Sequence, residues 1–224
     1  MLDEIKCITP KRIPAFLSSK REHFLAGQAL DTGCKMEPFS FLFIGDTHGA
    51  VDDFQKQKEI IEAYDPEVVL AESLQDIRLD TPRKFKESLE KRIISDTVRF
   101  DEVKKLIELC QDRGVRLIGI DFHNFGLTGD LKNAVEGKPT NAQKKEIQEI
   151  VKKRQNYHLK KIQGYQRKTK KPVVIIIGAW HLQENSLLMT GLTDYKVIFP
   201  CDSRGTILIG PTKGKIQYSE RIKR

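Results

Sequence analysis

Four continuous apolar runs of strand length are spaced along the chain. They lie at residues 39–45, 67–71, 115–120 and 172–178. Runs rich in Val, Ile and Leu without polar alternation are typical of strands buried on both faces, as in a parallel sheet covered by helices. The pattern therefore predicts four core strands.

Helical spacing fills the segments between these runs. Apolar residues recur at intervals of three and four in residues 53–64 and 100–110, and at roughly helical spacing in the basic segment 141–171. This alternation predicts an α/β fold with a mostly parallel, doubly wound central sheet flanked by helices. Its ligand crevice is expected at the carboxyl ends of the strands.

The two ends of the chain have a different texture. Residues 192–224 hold three short β-rich stretches, YKVIFP, GTILIG and GKIQYS, which we interpret as added edge strands or a terminal hairpin. Residues 1–36 have little periodicity and predict an irregular or partly helical cap, and residues 129–141 predict an exposed loop able to act as a lid. The whole chain, 1–224, is expected to form a single domain.

Composition adds few constraints. The formal net charge is +8, but lysines and arginines are interspersed with acids, so a solvated surface is favoured over nucleic-acid binding by the basic 141–171 helix. The four cysteines form no Cys-x-x-Cys pair. The chain begins without a signal-peptide pattern and has no apolar run of membrane-spanning length, which predicts a cytoplasmic protein that does not bind membranes. Its oligomeric state is left open.

Polar residues with chemical potential directly follow each of the four runs. They are Asp46 and His48, Glu72 and Ser73, Asp121 and His123, and Trp180 and His181. Because parallel strands end at one edge of a sheet, we expect these side chains to converge on one site.

Two of the strand ends share a Gly-x-x-His pattern. Gly45 precedes His48 and Gly178 precedes His181, and we expect each glycine to let the backbone turn sharply. Neutral imidazoles with carboxylates suit zinc, manganese, iron or cobalt, and such a metal can generate a nucleophilic water. Without metal, a carboxylate-oriented histidine can act as a general base. Ser73 lacks a nucleophile-elbow motif and is interpreted as structural.

The motifs FLFIGDTHG, DPEVVLAES and VVIIIGAWHL resemble the TraB/Tiki superfamily, whose wider relatives include erythromycin-esterase-like and ChaN-like proteins. The likeness extends from residue 39 to about residue 188. A family arginine after the acid is matched by Arg78, with a shift of one residue. A later Arg-Asn segment resembles RQNYHLKKI, where Asn156 fits and Arg154 lies beside the expected arginine position.

The resemblance implies a metal-dependent hydrolase of peptidase or esterase type, acting on a peptide or a small molecule. His48 and His181 would be metal ligands or base, and Glu72 a ligand or water activator. The metal would be divalent manganese, cobalt or zinc. Asp46, Asp121 and His123 are supporting residues by position only.

Other functions remain open at this stage. Haem-binding relatives imply non-catalytic ligand capture by a crevice histidine. The segment IGDTHGAVDDF also looks like the first motif of calcineurin-like metallophosphoesterases, although the later motifs of that family are missing. A nucleic-acid-binding module without chemistry is the third alternative.

Overall fold

In a computed structural model of the protein, residues 39–47, 51–91, 100–122, 126, 129, 131, 139–166, 168–210 and 216–224 are described. Strands and helices alternate along the chain, as the apolar runs predict. The elements in chain order are β1 (Phe41–Asp46), α1 (Val51–Tyr64), β2 (Val68–Gln75), β3 (Arg78–Leu79), α2 (Pro82–Lys91), α3 (Phe100–Asp112), β4 (Arg116–Asp121), α4 (Asn141–Gln163), β5 (Val173–Gly178), a 3₁₀ turn (Ala179–Leu182), α5 (Leu187–Thr190), β6 (Tyr195–Cys201) and β7 (Gln217–Lys223).

The strands form one seven-stranded sheet in the order β3-β4-β2-β5-β1-β6-β7. Neighbours from β4 to β6 are parallel, while β3 and β7 are antiparallel edges. The predicted α/β class and mostly parallel sheet are confirmed. The carboxyl ends of β2 and β4 lie side by side, and those of β5 and β1 also pair, so polar residues at these ends are brought close together.

Helices cover both faces of the sheet. One hydrophobic core lies between the sheet and α1, α2 and α3, with Ile61, Phe85 and Ile107 among its residues. A second core lies on the opposite face beneath α4 and α5, with Ile162 and Met189. We call these the α1 face and the α4 face. Strand residues alternate between the faces, which is why consecutive side chains of β2 serve different surroundings.

The predicted carboxyl-terminal strands are confirmed in part, because β6 and β7 pair antiparallel as a terminal hairpin. YKVIFP is nevertheless not an edge strand, since β6 also runs parallel to β1 inside the sheet. GTILIG forms no strand, since only Ile207 makes an isolated bridge, to Cys201. The third stretch becomes β7, which pairs with β6 along its whole length. Short apolar stretches pair only where a neighbour's free edge lies alongside, and that depends on tertiary structure.

The basic helix α4 is shorter than predicted. It begins after Thr140, whose side chain and that of Gln143 form a reciprocal capping box, and it ends at Gln163 instead of near residue 171. Its buried residues are Gln155, His158 and Ile162. Two of the three buried side chains of α4 are therefore polar.

Several predictions lie outside the described residues. They concern the cap at 1–36, His48, His123 and most of the 129–141 loop. Among the described residues, no helix combines the length and apolar character needed to cross a bilayer.

Candidate active site on the α4 face

Two carboxylates from neighbouring strands form the centre of the site. Glu72 is in β2, and Asp121 ends β4 and is completely buried. The backbone N–H of Gly178 donates to Glu72 Oε2 at 2.7 Å, and that of Phe122 donates to Asp121 Oδ1 at 2.7 Å. Both acids are thus fixed by backbone donors at the predicted edge of the sheet.

Arg154 from α4 bridges the two acids. Its Nη2 donates to Glu72 Oε1 at 2.7 Å and also to Asp121 Oδ2, while its Nε donates to Asp121 Oδ1 at 3.0 Å. The side chain is only 15% exposed. A guanidinium presents several donors in a fixed plane, which suits it to join two buried carboxylates.

Two histidines complete the group. His181 Nε2 lies 3.2 Å from Glu72 Oε1, and His158 Nε2 lies 3.3 Å from Asp121 Oδ1. The rings meet edge to face with centroids 5.3 Å apart. Neither buried nitrogen of His158 has a hydrogen-bond partner among the described residues, although Nε2 lies near Asp121. We refer to Glu72, Asp121, Arg154, His158 and His181 as the α4-face cluster.

The charges of the cluster determine its protonation. Burial by itself would raise the pKa of Glu72, but His181, Arg154 and His158 together hold that pKa well below its usual value. Burial also opposes ionisation of Asp121, whose pKa is nevertheless lowered by His158 and Arg154. The pKa of Arg154 is raised by the two carboxylates despite the opposing effect of burial. Both acids are therefore ionised at neutral pH.

The local fold of the second Gly-x-x-His motif explains how His181 reaches the site. The chain leaves β5 directly into the 3₁₀ turn, which folds His181 back towards the sheet. Gly178 does not turn sharply as predicted, since its φ of −50° is accessible to any residue. Instead it gives space: a Cβ there would lie 3.3 Å from Glu72 Oε2. Gly45 likewise has no positive φ, and a Cβ on it would approach Pro200 Cδ to 2.9 Å.

Of the predicted site residues, the structure brings together Glu72, His181, Asp121 and Arg154. Arg78 and Asn156, which the family resemblance also suggested, lie outside the cluster. Arg78 lies in the exposed edge strand β3 and pairs with Asp80 at 2.5 Å, and Asn156 is on the exposed side of α4. Sequence reasoning missed His158. Its separation of four residues from Arg154, on one side of a helix, was an available signal.

A metal ion fits part of this cluster. Ligand atoms of Glu72, Asp121 and His158 all lie within 4.8 Å of one another, so the group could hold a metal ion. The unpartnered nitrogens of His158 and the carboxylate oxygens are a suitable donor set for zinc, manganese or cobalt. Arg154 already contacts both carboxylates, so a cation would compete with the guanidinium. His181 contacts Glu72 but is outside the group, and the metal role predicted for His48 lies outside the described residues.

Asp46 and Ser73 lie near a different cavity, on the α1 face. This cavity is also lined by Asp53, Gln57 and Glu102. Asp53 accepts hydrogen bonds from the Thr47 backbone N–H and, at 2.7 Å, from the Tyr218 hydroxyl. Burial raises the pKa of Asp53 to about 6, and the charges of Asp46 and Glu102 add to that rise. Ser73 therefore faces away from Glu72, consistent with a structural interpretation.

Comparisons with known proteins support no family assignment. No family model and no curated protein matches the chain. One similar solved structure is RRSP, a MARTX toxin effector domain from Vibrio vulnificus CMCP6, with 18% identity, a TM-score of 0.47 and coverage of 77% of this chain. The alignment spans only 35% of that larger chain. Another is the type III effector HopBA1, with 15% identity, a TM-score of 0.47, and coverage of 78% of this chain and 88% of that one. Neither likeness is close enough to carry a functional argument.

Proposed function

We propose that the protein is a hydrolase of TraB/Tiki type that cleaves an amide or ester bond with water activated at Glu72 and His181. The observation that carries the proposal is the contact between a buried, ionised Glu72 and His181 Nε2 at 3.2 Å. A carboxylate held beside an imidazole is a recurrent general-base arrangement. The substrate class is a peptide or a small molecule, as the resemblance implies.

The roles of the residues follow from their contacts. His181 takes a proton from water at Nδ1, the ring nitrogen that does not face Glu72, and Glu72, beside Nε2, stabilises the imidazolium that forms. The hydroxide adds to the carbonyl carbon of the substrate, and the bond to the leaving amine or alcohol then breaks as that group receives the proton. Arg154 and the Gly178 N–H keep Glu72 ionised and oriented. His48 is the further residue that the sequence motif assigns to this chemistry.

A divalent metal, where bound, would be held by Glu72, Asp121 and His158 and would lower the pKa of its bound water. Elemental analysis after loading with manganese, cobalt or zinc tests this part of the proposal. We expect stoichiometric metal in the wild type and its loss in Asp121→Asn and His158→Gln. Retention of metal in both variants, with loss in His181→Ala, would favour the ligand set predicted from the sequence.

Turnover by Glu72→Gln tests the hydrolase itself. A panel of peptides and esters would be screened with the wild type, and we expect the variant to lose at least about 100-fold in kcat, the lower range for loss of general-base catalysis. Gln is chosen because Ala at this buried position would remove packing as well as charge. Asn156→Ala, on the exposed side of the same cluster's helix, is the matched control and should retain full activity.

Circular dichroism and thermal melting of both variants separate catalysis from folding. Full turnover by a folded Glu72→Gln variant would contradict the proposal. Loss of activity only in proportion to loss of folded protein would assign the cluster a structural role.

A further inference from the structure

Exposed apolar side chains are concentrated beside the α4-face cluster. Among the described residues, the large hydrophobic side chains that are exposed are Trp180 at 41%, Ile209 at 60% and Ile222 at 53%. The first two line one cavity of about 310 Å³ that opens to solvent. Contiguous exposed apolar surface in a concave site marks a place where a ligand or partner binds.

The cavity shares residues with the candidate active site. Gly178, whose N–H is bonded to Glu72, forms part of its wall. Trp180 follows in the chain, and its ring meets that of His181 edge to face at a centroid distance of 5.1 Å. A group seated against Trp180 therefore lies next to the residues proposed to activate water. This continuity favours an occupant that is part of the substrate itself.

The lining defines the chemistry of that group. Leu208, Ile209 and Trp180 provide apolar contacts, and Gly178 and Ala179 form another part of the wall. A charged guest would lose its hydration against these apolar groups without gaining a partner from them, which disfavours it. The cavity is open to solvent and only a few residues line it, so it suits one side chain instead of a whole ligand.

We infer that this cavity, the Trp180 pocket, is a specificity pocket that binds an uncharged apolar side chain next to the scissile bond of a peptide. The inference rests on the proposed function, because its assignment to a substrate depends on hydrolysis at Glu72 and His181. It adds that peptides with Leu-like residues at this position are preferred over those with Gly or Glu.

Trp180 is itself the reporter for a binding test, since it is the single tryptophan of the chain. The probe is N-acetyl-L-leucine amide, titrated into the full chain while Trp180 fluorescence is recorded. We expect a saturable blue shift as the amide displaces water from the ring. N-acetylglycine amide and the corresponding glutamate derivative should produce a shift only at much higher concentration.

Ile209→Ser is the test variant and Ile222→Ser its matched control. Loss of an apolar contact in such a pocket should raise the Kd of the leucine amide by about tenfold. The Ile222 substitution alters a similarly exposed isoleucine in β7 that does not line the cavity and should leave the Kd unchanged. An Ile209→Ser Kd equal to that of the wild type, or the absence of any saturable shift, would overturn the inference.

The same titration on Glu72→Gln separates the two proposals. Retained binding with lost turnover supports both. Saturable, Ile209-dependent binding without hydrolysis of any substrate would refute the proposed reaction and keep the pocket as a binding site. Hydrolysis without preference for the apolar residue would refute the pocket and leave the hydrolase standing.

Discussion

Buried acids lie on both faces of the sheet at its carboxyl edge, but their surroundings give them opposite properties. On the α4 face, Glu72 and Asp121 have lowered pKa values because Arg154 and two histidines lie against them. On the α1 face, the pKa of Asp53 is raised to about 6 by burial, with Asp46 and Glu102 nearby. Burial alone favours the neutral acid, and on the α4 face the nearby cations and hydrogen-bond donors reverse that preference. The face covered by α4 is therefore the one suited to polar chemistry.

Removing Arg154 tests the difference between the two faces most directly. Arg154→Met leaves two buried carboxylates without their shared cation, and we expect the free energy of unfolding to fall by about 3–5 kcal/mol. Urea denaturation at pH 7 measures the change. Arg83→Met, which removes an exposed arginine paired with Glu87, is the matched control and should unfold like the wild type. Equal behaviour of the two variants would show that the bridge adds nothing to stability.

The pH dependence of Asp53 gives the next largest effect. Its folded pKa of about 6 lies above the ordinary value of 3.8, so the folded state binds more protons than the unfolded state between these values. Stability from this residue is thus present below about pH 4 and is lost as the pH rises through 6. The loss is about 3 kcal/mol, since one pKa unit corresponds to about 1.36 kcal/mol.

Urea titrations of the wild type and Asp53→Asn from pH 4 to 7.5 test this expectation. The amide cannot ionise, so the difference between the two proteins should change progressively across that range. The lowered pKa values of Glu72 and Asp121 have the opposite sign, and stability from those residues is lost only on acidification below their unfolded values. They are common to both proteins and cancel in the comparison. A difference that does not vary with pH would mean that Asp53 titrates normally.

Competition between a metal and Arg154 provides a further test of the α4 face. In Arg154→Met, a divalent cation no longer has to displace the guanidinium from Glu72 and Asp121. Manganese or zinc at 100 times its Kd for Arg154→Met should therefore restore about 2.7 kcal/mol of unfolding free energy to that variant. At the same metal concentration, the double variant Arg154→Met, His158→Gln lacks one of the three ligands and should recover less. Equal recovery in both would place the cation elsewhere.

The smallest effect is expected at Asp80, an acid whose two cationic partners are exposed. Hydrogen bonds from Lys84 and Arg78 lower the pKa of Asp80 to about 2. Solvent and salt screen such pairs, so Asp80→Asn should give a urea midpoint indistinguishable from that of the wild type. A large loss would show that the edge strand β3 depends on this cluster. The contrast with Arg154, whose partners Glu72 and Asp121 are at most 12% exposed, tests whether burial of both partners, and not the size of a pKa shift, determines the stabilisation.

Part of the site could be predicted because strand ends are visible in the sequence. Glu72, Asp121 and His181 follow continuous apolar runs, and parallel strands necessarily end at one edge. His158 could not be recognised in this way. The buried side of α4 consists of Gln155, His158 and Ile162. Because two of these three residues are polar, the apolar pattern of the sequence does not predict that this side is buried. Tyr157 and Leu159, which belong to the predicted apolar pattern, are only partly buried.

The sequence by itself determined the four core strands, the helices between them and the edge at which the acids gather, because hydrophobic periodicity is a local property of the chain. Tertiary structure alone decided that β6 enters the sheet beside β1 and that α4 places Arg154 and His158 over the acids of β2 and β4. It also decided that Trp180 and Ile209 share a cavity. These pairings join residues far apart in the chain, and their energies depend on distance and burial, which no local pattern specifies.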